Sequence, residues 1–160
     1  MIFQTNLSAE VPYYLDFKYI LNQSDAGKKA QTYLKKKLDN GIKALQKKEK
    51  AIQEEERKII QQKKVISAEE YKKKVTELRN KVASLQKERD SLLTDVSKQR
   101  SKAKSELLKN LNPIIKEYMK EKNIRMVLDK KSMLLADDSL DITQDIVKLL
   151  NSKLKSIKLN

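Results

Sequence analysis

The stretch Ser67–Val96, SAEEYKKKVTELRNKVASLQKERDSLLTDV, decides how the rest of the chain is read. Ser67 followed three residues on by Glu70 forms a capping box, in which hydroxyl and carboxylate satisfy amide hydrogens that a new helix leaves unpaired. A helix therefore starts here. Beyond it Tyr71, Val75, Leu78, Val82, Leu85, Arg89, Leu92, Val96, Gln99 and Ala103 alternate by four and three, and all but Arg89 and Gln99 are apolar. A period of 3.5 residues is the seam of a coiled coil, so this helix expects a partner. Arg89 and Gln99 either mark a hydrated section of the seam or turn outward while their stems pack.

The partner lies just upstream. Leu38, Leu45, Ile52 and Ile59 are spaced by seven and give one apolar line, while Gly41, Lys48 and Glu55 stand where a second line belongs. Ser24 or Asp25 is placed to cap the start of this helix, and its pattern fades near Lys63. Two seams separated by a short break predict an antiparallel helical hairpin over residues 25–119, its tip near 63–67. An arm of ~38 residues is ~60 Å long. Pro113 removes a backbone donor and predicts a bend, or else an end, in the second helix.

On either side of the hairpin the period changes. VPYYLDFKYIL (Val11–Leu21) suits a short strand near Tyr13 to Asp16, followed by a short helix. IRMVLD (Ile124–Asp129) alternates like a strand, Lys130-Lys131 reads as a turn, and SMLLA (Ser132–Ala136) reads as the second strand of a β-hairpin. Asp141 is a candidate cap, with Gln144 in the capping-box position. Ile142, Ile146, Leu149, Leu150 and Leu154 give the closing helix its apolar face. Residues 153–160 form a basic tail expected to fray. Leu7-Ser8-Ala9 before Glu10 suits the end of a signal peptide, so residues 1–10 are either a leader remnant or a disordered start. The fold class is thus α+β: strand, long helix out, long helix back, two strands, helix, with the body formed by 11–24 and 120–152.

Composition agrees with long wet helices. Among 160 residues, 36% are charged and 5% aromatic, with two Gly and two Pro, too little apolar mass for a thick globular core. No His, Cys or Trp is present, which removes the common metal sites and histidine-based catalysis; no cofactor is expected. The net charge of +14 attracts anionic partners in general. Its lysines are interspersed with acids and no aromatic platform accompanies them, so nucleic acid is not an expected partner. The runs Lys35–Lys37 and Lys72–Lys74 are either solvated faces or steering charges. Asp137-Asp138 fits turn capping better than catalysis.

The segment NIRMVLDKKSMLLADDSLDITQDIVKLLN (Asn123–Asn151) resembles the C-terminal signature of the Skp (OmpH-like) chaperone family. In that signature an apolar strand ends in Asp, a second strand follows, and an Asp-Ile-Thr step, here Asp141-Ile142-Thr143, opens the last helix. Val11–Ser24 is similar to the family's first strand and short helix. The resemblance implies a periplasmic homotrimer in which strands of three subunits share one β-barrel and the arms surround a cavity. Unfolded outer-membrane proteins would be held there without ATP. Anionic lipid or lipopolysaccharide would be a further partner, at basic residues of the arm. On that basis the trimer interface is expected at Tyr13, Tyr14, Leu15, Ile124, Met126, Leu128, Leu134 and Leu135. The physics agrees: three short strands leave open edges that oligomerisation would pair. The competing architecture is a coiled-coil stalk subunit, such as the peripheral stalk of a rotary ATPase. A third class is a nucleic-acid binder driven by charge.

Overall fold

The computed structural model describes residues 11–159. Its elements run β1 (Tyr13–Leu15), α1 (Phe17–Gln23), α2 (Asp25–Gln62), α3 (Ala68–Glu121), β2 (Val127–Asp129) and α4 (Thr143–Lys153), with single 3₁₀ turns at Lys130–Ser132 and Asp138–Leu140. The chain divides into two compact units, one from residues 11–31 and 101–159, the other from Thr32–Arg100. The first and last turns of the predicted arm thus belong to the first unit.

In the first unit, Asp16 caps α1 by accepting from the Tyr19 amide at 2.7 Å. Ser24 ends α1 and caps α2 at once: its amide donates back to Ile20 O, and its hydroxyl accepts from the Gly27 amide at 3.2 Å. The junction is tight enough that a Cβ on Gly27 would collide with the Leu21 carbonyl oxygen. β1 and β2 pair in parallel, Tyr13 opposite Val127, Tyr14 opposite Leu128 and Leu15 opposite Asp129. On the other side of β1, Tyr14 bridges to Asp141, and the Ile142 amide donates to Tyr14 O at 2.9 Å.

Beneath this sheet the core gathers Leu15, Ile20, Ala26, Leu107, Leu111, Ile114, Ile142, Ile146 and Leu150. Ile20, Leu111, Ile146 and Leu150 are fully buried. Leu107, Leu111 and Ile114, near the end of α3, sit at helical spacing and face α4 residues of the same kind. α3 continues past Pro113 as one 54-residue helix, so the alternative of an end there does not occur. It stops in a Schellman motif. Asn123 takes the left-handed conformation (φ 54°), Ile124 N–H donates to Met119 O at 2.8 Å and Asn123 N–H to Lys120 O. That reversal aims the chain into β2.

Two expectations are corrected. Residues 132–136 form no strand with β2. A 3₁₀ turn, capped by Asp129 on the Lys131 amide, carries the chain away, and Met133, whose amide donates back to Lys130 O at 3.2 Å, continues in extended backbone outside any strand. The strand pair of this chain is therefore the parallel β1–β2 pair, not an antiparallel hairpin. Nor does the tail simply fray: Leu154 and Ile157 pack on the core and Leu159 is buried.

In the second unit α2 and α3 pair antiparallel, joined by a turn at residues 63–67 in which Val65 N–H and Ile66 N–H donate to Gln62 O. As the α2 number rises its α3 partner falls: Lys37 meets Asp95, Lys48 meets Glu88, Glu55 meets Lys81 and Gln62 meets Lys74.

Candidate functional site

Among the described residues, a strand edge and the hairpin surface leave interaction capacity unused. The edge is that of β2. β1 is flanked on both sides, by β2 and by Asp141, whereas β2 has one neighbour among the described residues. Unpaired strand amides and carbonyls are a ready template for another strand. Beside that edge lies an open groove of about 440 Å³, lined by Leu15, Phe17, Ile115, Met119, Met126 and Leu128 among others.

The eight residues expected at an interface fall into two groups. Tyr14, Leu15 and Ile124 are buried within the chain itself, with Tyr13 half-buried beside them. Met126, Leu134 and Leu135 are exposed, the last two at 100% and 94%, and Leu128 is half-buried at the groove. Tyr14 is held neutral, its phenol pushed up by burial and then by the nearby carboxylates of Asp141 and Asp138. Lys130 stands 5.7 Å from the same ring.

Asp141 acts one position earlier than a standard N-cap. The helix opens at Thr143 with Ile142 in the cap position, and the Asp141 carboxylate accepts from both the amide (2.9 Å) and the hydroxyl of Thr143. Thr143 in turn receives the Asp16 amide at 2.8 Å, joining the first and last elements. Tyr118 donates to Asp145 at 2.8 Å, and its phenol is pushed up to about 12 by burial and by that bond. Sequence reasoning gave Asp16, Thr143 and Tyr118 no part in these bonds. Asp16 before an apolar run could have been found by its capping spacing.

The hairpin seam is thin. Leu45, Ile59 and Val96 are buried; Leu38, Ile52, Tyr71, Val75, Leu78, Leu85 and Leu92 are half-buried; Val82 is exposed. The second line of α2, weak on paper, is filled by cross-helix partners. Gly41 makes room for Leu92, whose methyls occupy the space a Cβ would take. Lys48 pairs with Glu88 at 2.5 Å and Glu55 with Lys81 at 2.6 Å. Lys37 pairs with Asp95 at 2.5 Å, which raises the lysine and holds the carboxyl below its ordinary value, the hydrogen bond being the larger cause in both. At the tip the Ser67 hydroxyl accepts from the Glu70 amide at 3.2 Å, and the Glu70 carboxylate turns to Lys74 at 3.5 Å. Gln99 bonds Asp95, and its buried Oε1 has no partner. No group of His, Cys, Asp or Glu suited to a metal occurs among the described residues. No helix among them is long and apolar enough to cross a membrane.

The fold is shared with a crystal structure from Caulobacter crescentus CB15, of a protein classed as an OmpH-like outer membrane chaperone. The TM-score is 0.87 at 21% identity, covering 99% of this chain and 95% of that one. No curated protein matches. The family model for outer membrane protein (OmpH-like) matches residues 13–150. That span holds both strands, the whole hairpin and most of α4, and the chain belongs to the OmpH-like family.

Proposed function

We propose that this chain is an ATP-independent holdase: a periplasmic homotrimer that keeps unfolded outer-membrane proteins soluble between its helical arms. One observation carries the reading. Thr32–Arg100, 69 residues, bury only four hydrophobic side chains, Leu34, Leu45, Ile59 and Val96. A segment that long with so little interior exists for its surface. That surface carries 20 Lys and Arg against 11 Asp and Glu, a surplus of nine positive charges. Such a field speeds encounter with an acidic unfolded chain, and dispersed weak contacts then hold it without fixing one conformation. No bond is made or broken, so no nucleotide or cofactor is required. A stalk would continue as one extended helix, whereas here the chain turns back at 63–67.

Assembly through the body is supported by the open β2 edge, the groove beside it and the bare Leu134-Leu135 pair on an unpaired stretch. Apolar side chains so exposed gain about 25 cal/mol per Å² when a partner covers them. A test follows directly. Leu134→Asp with Leu135→Asp cannot harm the monomer fold, because both side chains are already in solvent. We expect sedimentation equilibrium at micromolar concentration to give a trimer for the native chain and a monomer for the double variant. A native monomer would refute the assembly. Suppression of aggregation of a urea-unfolded outer-membrane β-barrel polypeptide, with and without ATP, tests the holdase activity itself; a requirement for ATP would refute it.

A further inference from the structure

The two broad sides of the hairpin are chemically different. On α3 the linked residues Lys74, Lys81, Glu88 and Asp95 are spaced by seven; on α2 Lys37, Lys48, Glu55 and Gln62 are spaced by eleven, seven and seven. Seven and eleven residues are close to two and three turns, so these links share one flank of the seam. Ile42 and Ile60 lie 18 residues apart, about five turns, and Val82 and Leu93 lie 11 apart, about three turns. Each pair is one stripe, turned roughly 100–140° around its helix from the links, on the other flank.

Both stripes lie to the same rotational side of the buried seam residues, Val82 being the seam position that turns out to solvent. Because the helices run in opposite directions, equal rotations bring both stripes to one side of the hairpin. Glu49 and Arg89, 3.8 Å apart, bridge the helices on that side. Ile42, Ile60, Val82 and Leu93 are 40%, 60%, 50% and 53% exposed there, too much for core and more than an isolated hairpin needs. The arginines follow the same side. Arg89 and Arg100 lie in the Val82 stripe, and Arg57 and Arg79 stand one turn before Ile60 and Val82. They are four of the five arginines in the chain, and the linked flank has none.

We propose that this arginine–aliphatic side is where an acidic, unfolded polypeptide segment bearing aromatic side chains is held, the linked side serving only to hold the hairpin together. This deepens the holdase reading and rests on it. Guanidinium is planar and weakly hydrated, stacks on aromatic faces and grips carboxylates two bonds at a time, which an ammonium cannot do. Half-exposed aliphatics between arginines supply apolar contact without a deep pocket. On the linked flank Lys37, Lys48 and Lys81 are held at 2.5–2.6 Å by Asp95, Glu88 and Glu55 and offer a client little, whereas Arg89 meets Glu49 at a looser 3.8 Å.

The test uses the full chain and a labelled, urea-unfolded outer-membrane β-barrel polypeptide of net negative charge. Ile42→Ser, Ile60→Ser, Val82→Ser and Leu93→Ser together should weaken binding roughly tenfold, each side chain contributing a fraction of the gain of full burial. Ala44→Gln with Ser84→Gln, on the linked flank, should stay within about twofold, as surface changes away from contacts do. Changing Arg57, Arg79, Arg89 and Arg100 to lysine keeps the charge, so association should hold while dissociation speeds several-fold. Unchanged affinity in the serine variant overturns the proposal. So does a changed mass of its unliganded assembly, which would make this side a contact between copies. A photo-crosslinking residue at position 93 should capture client far more than one at position 84, and equal capture overturns the proposal even if the serine variant fails to fold. A native chain that binds no client at all refutes the holdase reading instead.

Discussion

The first unit and the hairpin are built from the same residue types by opposite rules. In the first, Ile20, Leu111, Ile146 and Leu150 have no solvent contact, and helix ends are closed by Asp16, Ser24 and Asn123. In the hairpin most seam residues stay half in water, and cross-helix ion pairs supply the register. Exposed pairs are each worth ~0.2–1 kcal/mol and fix alignment more than they add stability. One chain can thus carry a densely packed unit and one that opens easily, because local opening follows the density of buried contacts.

The largest effect separating the two should come from truncation. Leu111→Ala or Ile146→Ala should cost about 2–5 kcal/mol in chemical denaturation, because a cavity adds to the lost transfer energy. Val82→Ala should cost no more than about 0.5 kcal/mol, as at other exposed sites. Equal losses would mean that the hairpin is as well packed as the first unit.

The two glycines sharpen the contrast. Gly27→Ala drives a Cβ into the backbone of Leu21, which cannot move without breaking the α1–α2 junction, and a loss of about 1–3 kcal/mol is expected. Gly41→Ala meets only side-chain atoms of Leu92, a flexible and half-buried residue. The loss there should be smaller, below about 1 kcal/mol, because repacking is cheap and Ala favours helix over Gly. A midpoint of thermal unfolding ranks the pair.

Titration gives the next contrast. Tyr118 has its folded pKa raised from 10.0 to about 12, so its contribution is complete below pH 10 and is lost as pH rises toward 12. Tyr118→Phe should remove that alkaline limb and cost about 1 kcal/mol at neutral pH, the worth of one hydrogen bond. In the hairpin Asp95 is lowered by Lys37, so its contribution is present above its ordinary 3.8 and is lost as pH falls through the lower folded value. Carboxyl NMR should find Asp95 titrating below the usual range, and Lys37→Met should return it there. This is the smallest effect, since both partners are well exposed.

Periodicity made the helices legible. A seam from Tyr71 to Ala103 and the Ser67 cap need only local spacing. The pairing of SMLLA was not legible, since a β-rich run becomes a strand only where an edge can receive it. The turn capped by Asp129 leads it away from β2, and Asp141 occupies the far side of β1. The second line of α2 looked weak for the same reason. What makes Lys48 and Glu55 useful is Glu88 and Lys81, 40 and 26 residues away. The exposed state of Leu134 and Leu135 also lay beyond spacing: their composition is that of a core, and their backbone leaves them none.

The bonds from the Asp16 amide to Thr143 and from the Asp25 amide to Asn151 span 127 and 126 residues. Such bonds cannot form until the last helix has followed the rest of the chain into the compartment where it folds. The hairpin can, since it zips outward from its own turn with contacts that start locally. By the time α4 appears, most of the intervening chain is already folded back on itself, and the remaining closure involves short segments. Each doubling of a flexible loop adds only about 0.6 kcal/mol, so the gain is in rate more than in stability. A chain cut before residue 142 would therefore leave a paired hairpin whose Asp16 and Asp25 amides lack their closing partners. The order of assembly is written into which bonds join the two ends.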